Sequence, residues 1–109
     1  MVDINLISAA IQEALRDEVE RVVLFGSYAY GSPNKDSDID LYIVTKDDYI
    51  PQNWREKRDL VRKISSKILN LREKYPIDII VHTKKMYQKF IALNSSFSKE
   101  ILQKGKVLL

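Results

Sequence analysis

The stretch from Val22 to Val44 constrains the chain more than any other. It holds two short apolar runs, Val22 to Phe25 and Leu41 to Val44, joined by a segment containing Gly26-Ser27, Gly31 and the acids Asp38 and Asp40. Each run is β-branched or aromatic and is stopped by turn residues, which predicts buried strands rather than helical turns. Strand side chains alternate with a period of two, so acids at i and i+2 share a face. Asp38 and Asp40 therefore converge at the start of the second strand.

Two carboxylates held together at neutral pH need water or a cation to offset their repulsion. Mg²⁺ suits such a pair, because it takes oxygen ligands and is usually held by one or two carboxylates plus the phosphates of a substrate. The Gly26-Ser27 corner offers the complementary half: an open backbone, an N–H and a hydroxyl facing a phosphate oxygen. A helical turn beginning after Ser27 would add free N–H groups and the helix dipole. A nucleotide triphosphate with Mg²⁺ is the ligand that uses all of these residues. Ser37, beside the acids, either holds the loop or joins Gly26 and Ser27 as a nucleotide-binding residue, and Lys35 is within reach of a phosphate. Asp36 reads as a solvated turn residue within Ser32 to Asp36.

A third acid stands in Pro76-Ile77-Asp78-Ile79-Ile80-Val81, another short apolar run. A lone Asp buried in such a run would cost several kcal/mol unless paired or metal-bound. If this strand lies beside the one holding Asp38 and Asp40, three acids gather into a cluster able to hold two Mg²⁺ ions about 3.5 to 4 Å apart.

Gly26-Ser27, then Asp38-x-Asp40, then Asp78 on its own strand resembles the signature of the polymerase-β-type nucleotidyltransferases. Within that superfamily the chain resembles the minimal nucleotidyltransferase group, over most of its length. The resemblance implies an α/β (α+β) fold with a mixed sheet of about three or four strands flanked by helices. It also implies catalysis by Asp38, Asp40 and Asp78, which bind two Mg²⁺ ions and ATP as substrate, with Gly26 and Ser27 on the distal phosphates. Many members carry Arg where this chain has Tyr30, which removes one fixed cation. For the minimal group the resemblance further implies a partner, a HEPN-type ribonuclease toxin, neutralised by transfer of AMP to a tyrosine. The alternative is a non-catalytic antitoxin that acts by contact alone. Three converging acids favour the enzyme, since contact does not need them.

Length and composition fit this expectation. A chain of 109 residues suits a single domain, 1–109, whose acceptor is expected on another protein. There are no cysteines, which excludes disulfides and thiolate metal sites. No apolar run is long enough to span a bilayer, and Met1-Val2-Asp3 does not begin a signal peptide, so a cytoplasmic protein with no membrane partner is expected. Residues 1–50 hold four basic and ten acidic side chains, net −6, whereas residues 51–109 hold fourteen and five, net +9. The basic half suits an anionic partner such as a nucleotide or an acidic protein surface. Nucleic acid is the less favoured partner, because the basic face lacks an aromatic platform.

The remaining segments read as scaffold. Asp3 caps a helix with Ile4, Ile7, Ile11 and Leu15 on one face, ending near Val19. A single long helix is expected from Gln52 to Tyr75, with Trp54, Val61, Ile64, Ile68, Leu71 and Tyr75 on one side and Arg55, Arg58, Arg62, Lys63 and Lys67 opposite. Asp47-Asp48 reads as a surface loop, and His82 as structural or exposed. After it, Met86, Phe90 and Leu93 are expected to pack. Phe97, Ile101 and Leu102 form a short helix ending at Gly105, and Lys106 to Leu109 is left as an exposed apolar tail and candidate interface.

Overall fold

The computed structural model describes residues 2–109. Its centre is a four-stranded mixed sheet in the order β3-β2-β1-β4. Strand β1 (Val19–Phe25) pairs antiparallel with β2 (Ile39–Thr45), and β2 pairs in parallel with β3 (Ile77–His82). The parallel step needs a crossover, and α3 (Trp54–Lys67) with α4 (Leu69–Lys74) supplies it.

One face of the sheet carries Val22 and Leu24 from β1, Ile39, Leu41 and Ile43 from β2, and Ile77 and Val81 from β3. Helix α1 (Ile4–Leu15) seals it with Ile7, Ile11 and Leu15, and α3 with Leu60 and Ile64. Asp3 caps α1 by accepting from Asn5 N at 2.9 Å. The helix stops at Leu15, not near Val19, because the apolar stripe ends there and Val19 already belongs to β1. A register shift between Val19 and Arg21 lets Val19 and Val22, three apart, both face this core.

The helix expected from Gln52 to Tyr75 is two. Asn53 caps the first by accepting from Glu56 N at 2.9 Å, and the helical path breaks at Ile68, where φ is −117° and ψ 22°. Ile68 is fully buried, so the break turns Leu71 and Tyr75 back onto the same core. The buried stripe runs Leu60, Ile64, Ile68, at a spacing of four. Trp54, expected inside, is 68% exposed and lies under Arg58 instead, 5.1 Å from its ring centroid.

The opposite face is narrower and aromatic. Val23, Tyr42, Val44 and Ile101 are buried there under Tyr87 and Phe90 of α5 (Lys84–Leu93), while Leu93 is 74% exposed, against expectation. Tyr42 stacks on Phe90 at 5.0 Å, Phe90 meets Phe97 edge-on at 6.1 Å, and Phe97 meets Phe25 at 5.8 Å. His82 sits in this layer, 2.7 Å from the Tyr42 hydroxyl through Nδ1. It is structural, as read from sequence, and burial and then the charge of Lys57 hold its pKa below the usual value.

The C-terminus departs furthest from expectation. After α6 (Ser96–Lys99) and a π-helical turn, Glu100–Lys104, the residues Lys106–Val107 form β4 on the free edge of β1. Leu108 N donates to Val22 O at 2.8 Å, Val22 N donates to Leu109 O at 3.1 Å, and Gln12 Nε2 donates to Leu108 O at 2.6 Å. Leu108 is buried in the first core. The tail is thus not a free apolar segment; it covers a strand edge that would otherwise offer unpaired backbone groups. Among the described residues no helix is long and apolar enough to cross a membrane.

Candidate active site

The aromatic face ends in acid. Reading along it, Val44 stands beside His82, Tyr42 beside Ile80, and Asp40 beside Asp78, each pair in register on the parallel strands. Across the antiparallel pairing Asp40 faces Phe25, the last residue of β1. Paired positions on neighbouring strands point to the same side, so Asp40 and Asp78 emerge together where the aromatic cover stops. Asp38 lies two residues upstream of Asp40, just before β2 begins. The backbone tie from Ile39 N to Pro76 O, 2.8 Å, fixes the entry to β2 against the entry to β3.

Asp78 is exposed, so it is not the buried lone acid that the sequence suggested. β3 is an edge strand, and its second residue faces solvent. Asp40 is the partly buried member, and its carboxyl is held above the ordinary range by burial first, then by Asp78 and Asp38. Burial disfavours the Asp40 carboxylate most, and the two neighbouring acids add repulsion to it. A divalent cation would relieve it, and the oxygen donors are of the hard type that Mg²⁺ takes. The donor set therefore fits a cation shared with a phosphate ligand. Among the described residues, however, no three carboxylate or imidazole groups are gathered closely enough to hold an ion by themselves. The three-acid, two-ion cluster expected from sequence is not preassembled.

Gly26 follows Phe25 and adopts φ 76°, in the region open to glycine. A Cβ built on it would overlap Oδ2 of Asp40. The Gly-Ser corner and the acid are thus in direct contact, which only a glycine allows. Ser27 opens α2 (Ser27–Tyr30), a single turn in which Ala29 N and Tyr30 N both donate to Gly26 O. Tyr28 packs on the first core. Tyr30 is exposed beside Glu100; burial, then Glu100, then Asp40 push its phenol upward against the opposing backbone of Gly26.

Ser37 does not join this row. Its Oγ accepts from Asn34 N at 2.9 Å and its N donates to Asn34 O at 3.1 Å, so it holds the loop before Asp38. Asp36 is a turn residue as expected, its N bonded to Asn34 Oδ1 at 2.8 Å. Asp47 is not a bare loop acid: Lys63 Nζ lies 2.6 Å from its Oδ2, at the far end of β2 from the acid row.

One neighbour of the acids escaped the sequence. A cleft of about 410 Å³ opens beside Asp38 and Asp78, walled by Leu69, Arg72, Glu73, Tyr75, Pro76 and Ile77. Arg72 is fixed across it, with Nη1 2.6 Å from Ser65 Oγ and Nε 3.3 Å from Ile77 O, the carbonyl just before Asp78. No motif marks such an arginine. Its only signal is a basic residue in the last turn of a helix shortly before an acid-bearing strand.

Comparison with known proteins agrees with this geometry. A family model described as "Polymerase beta, Nucleotidyltransferase" matches residues 7–109. Two proteins of Methanocaldococcus jannaschii, named "Putative protein adenylyltransferase MJ0604" and "Putative protein adenylyltransferase MJ0141", are each 33% identical to this chain. The first match covers 91% of this chain and 87% of the relative, the second 84% and 87%. Among solved structures, a toxin–antitoxin with AMP-PNP aligns over 94% of this chain and 72% of its own, at a TM-score of 0.56 and 21% identity. An aspartate-to-glutamate double mutant of the toxin–antitoxin MntA-HpeT aligns at a TM-score of 0.53 and 19% identity, over 94% and 71%. At those identities the two structures speak for the fold.

Proposed function

The chain belongs to the polymerase β nucleotidyltransferase family, and on that premise we propose that it transfers AMP from ATP to a tyrosine hydroxyl of a HEPN-type toxin, acting as its antitoxin. The observation that carries the reading is the contact of Gly26 with Asp40, beside Asp78 in register on the next strand. Phosphate-binding backbone, charged centre and proton acceptor then follow one another across β1, β2 and β3.

In this reading Gly26 and the N–H groups opening α2 receive the distal phosphates, and the Ser27 hydroxyl donates to them. Asp38 and Asp40 would hold Mg²⁺, which supplies charge neutralisation at the phosphates when bound. Asp78, exposed and unencumbered, accepts the proton of the attacking hydroxyl. The acceptor oxygen bonds to the α-phosphorus, the bond to the β-phosphate breaks, and pyrophosphate leaves on the Gly26 side. The sheet order supports in-line displacement, because Asp78 and Gly26 lie on opposite sides of Asp40. Ser37 positions Asp38 through the loop rather than touching the nucleotide. The names of the relatives support protein as the acceptor, and the toxin–antitoxin neighbours support a toxin partner.

Incubation of the purified chain with α-labelled ATP, Mg²⁺ and the HEPN-type protein encoded beside it tests the reading. Label on a tyrosine of that protein is the expected result. A stable complex that silences the partner with no label would instead make the chain a contact-only antitoxin.

A further inference from the structure

β3 ends the sheet on its side, so successive carbonyls along it turn alternately toward β2 and toward the open edge. Pro76 O turns inward and accepts from Ile39 N at 2.8 Å. Ile77 O therefore turns outward, where the sheet offers no partner, and Arg72 Nε donates to it instead at 3.3 Å. Nη1 of the same guanidinium lies 2.6 Å from Ser65 Oγ on α3. One planar fork thus ties α3, α4 and β3 together beside the acid row.

The two carbonyls that precede Asp78 are held from opposite sides, and the tie on the open side is a single side chain. The Asp78 carboxylate has no comparable hold: it is exposed and forms no ion pair among the described residues. Its position is set by the backbone that delivers it. Pyrophosphate leaving toward Gly26 requires the attacking oxygen to arrive from the β3 side, so Asp78 must stand within hydrogen-bond reach of that oxygen. Arg72 lines the same cleft as Asp38 and Asp78, on the side of the row away from the phosphate corner.

We propose that Arg72 is a positioning residue: by tying the Ile77 carbonyl to α3 it fixes Asp78 where the attacking hydroxyl gives up its proton. The proposal rests on the adenylylation reading above and assigns Arg72 no contact with ATP. The fork carries the effect rather than the charge. Two donors at a fixed separation span Ser65 and Ile77, which a lysine ammonium cannot reproduce.

Arg72→Gln, Arg72→Lys and Ser65→Ala test it by steady-state kinetics on the partner protein with ATP and Mg²⁺, beside a denaturant unfolding curve of each. Both Arg72 variants should lower kcat about tenfold, with KM for ATP within about twofold of the wild type. Ser65→Ala keeps the charge and the Ile77 contact, and alanine suits the helix, so it should fold and lower kcat about threefold. The Asp78 amide shares a peptide plane with the Ile77 carbonyl, and its ¹⁵N order parameter should fall in all three variants without nucleotide while that of Ile43 holds. Wild-type kcat in Arg72→Lys beside a loss in Arg72→Gln would make the effect one of charge and overturn the proposal. So would a raised KM for ATP at constant kcat, or an Asp78 amide as ordered as in the wild type. Should the Arg72 variants unfold, Ser65→Ala decides alone, and unchanged kcat there overturns the role. Wild-type transfer rates in all three variants overturn the role and leave adenylylation standing, whereas a wild-type chain that transfers no AMP overturns both.

Discussion

The two faces of the sheet are built from the same three strands, yet one is sealed along its length by α1 and α3 while the other is covered by aromatics for two register rows and then opens onto acid. The difference is one of spacing. On the first face every position from Ile39 to Ile43 and from Ile77 to Val81 is apolar, so burial has no polar cost. On the second, the alternation Asp40, Tyr42, Val44 and Asp78, Ile80, His82 spends the last row on charge. Stability is concentrated in the first face, and the chemistry we propose lies at the uncovered end of the second.

Substitutions that damage one face and spare the other sharpen this contrast. Ile64→Ala, in the sealed core, should cost about 2 to 5 kcal/mol in denaturant unfolding. Transfer activity per folded molecule should not change. Gly26→Ala should behave in the opposite sense. The positive φ costs about 1 to 2 kcal/mol, but the displaced Asp40 should lower kcat by about 10²-fold. If Ile64→Ala lowered turnover of the folded protein as much as Gly26→Ala, the separation of the faces would fail.

Much of this was legible before any coordinates, for identifiable reasons. The strands at Val22, Leu41 and Ile77 follow from β-branched runs between turns, whereas the period-two argument for Asp38 and Asp40 reaches only Asp40, because Asp38 precedes β2. Asp78 beside Asp40 needed the parallel register, which no local pattern encodes. The break at Ile68 was hidden because Leu71 and Tyr75 continue a helical stripe, and what turns them is the demand of one core. Leu108 read as an exposed tail because only tertiary pairing, of Lys106 and Val107 with Leu24 and Val23 and of Leu108 N with Val22 O, reveals how the tail is held. Arg72 was invisible for the same reason: its meaning lies in a reach across to Ile77.

The aromatic layer makes a smaller, pH-dependent prediction. His82 has its pKa lowered in the folded chain, so the unfolded state takes up its proton first as pH falls through the ordinary histidine range. Its contribution is complete above about pH 6.5 and is lost below it. Urea midpoints from pH 7.5 to 5.5 should therefore fall in the wild type and fall less in His82→Gln. An equal fall in both would remove His82 from the account.

The smallest effect belongs to the far end of β2. Burial opposes ionisation of Asp47, but the Lys63 hydrogen bond, Thr45 and the Lys63 charge outweigh it and lower its pKa. Its contribution is present above the ordinary carboxylate range and is lost as pH falls through the lowered value. The pair is partly exposed, so Asp47→Asn should cost no more than about 1 kcal/mol at neutral pH and leave transfer unchanged. A larger loss of activity would place a second centre where none is drawn.

The Asp38→Asn/Asp40→Asn variant tests the central claim most directly, by intact-mass analysis of the partner protein after incubation with ATP and Mg²⁺ and by a thermal melt of the same sample. Removing a carboxylate that burial and then its acidic neighbours disfavour should leave the melting midpoint unchanged or about 2 °C higher. The AMP adduct made by the wild type should vanish. An adduct that persists in this variant, with the fold intact, would contradict the assignment of the chemistry to the acid row.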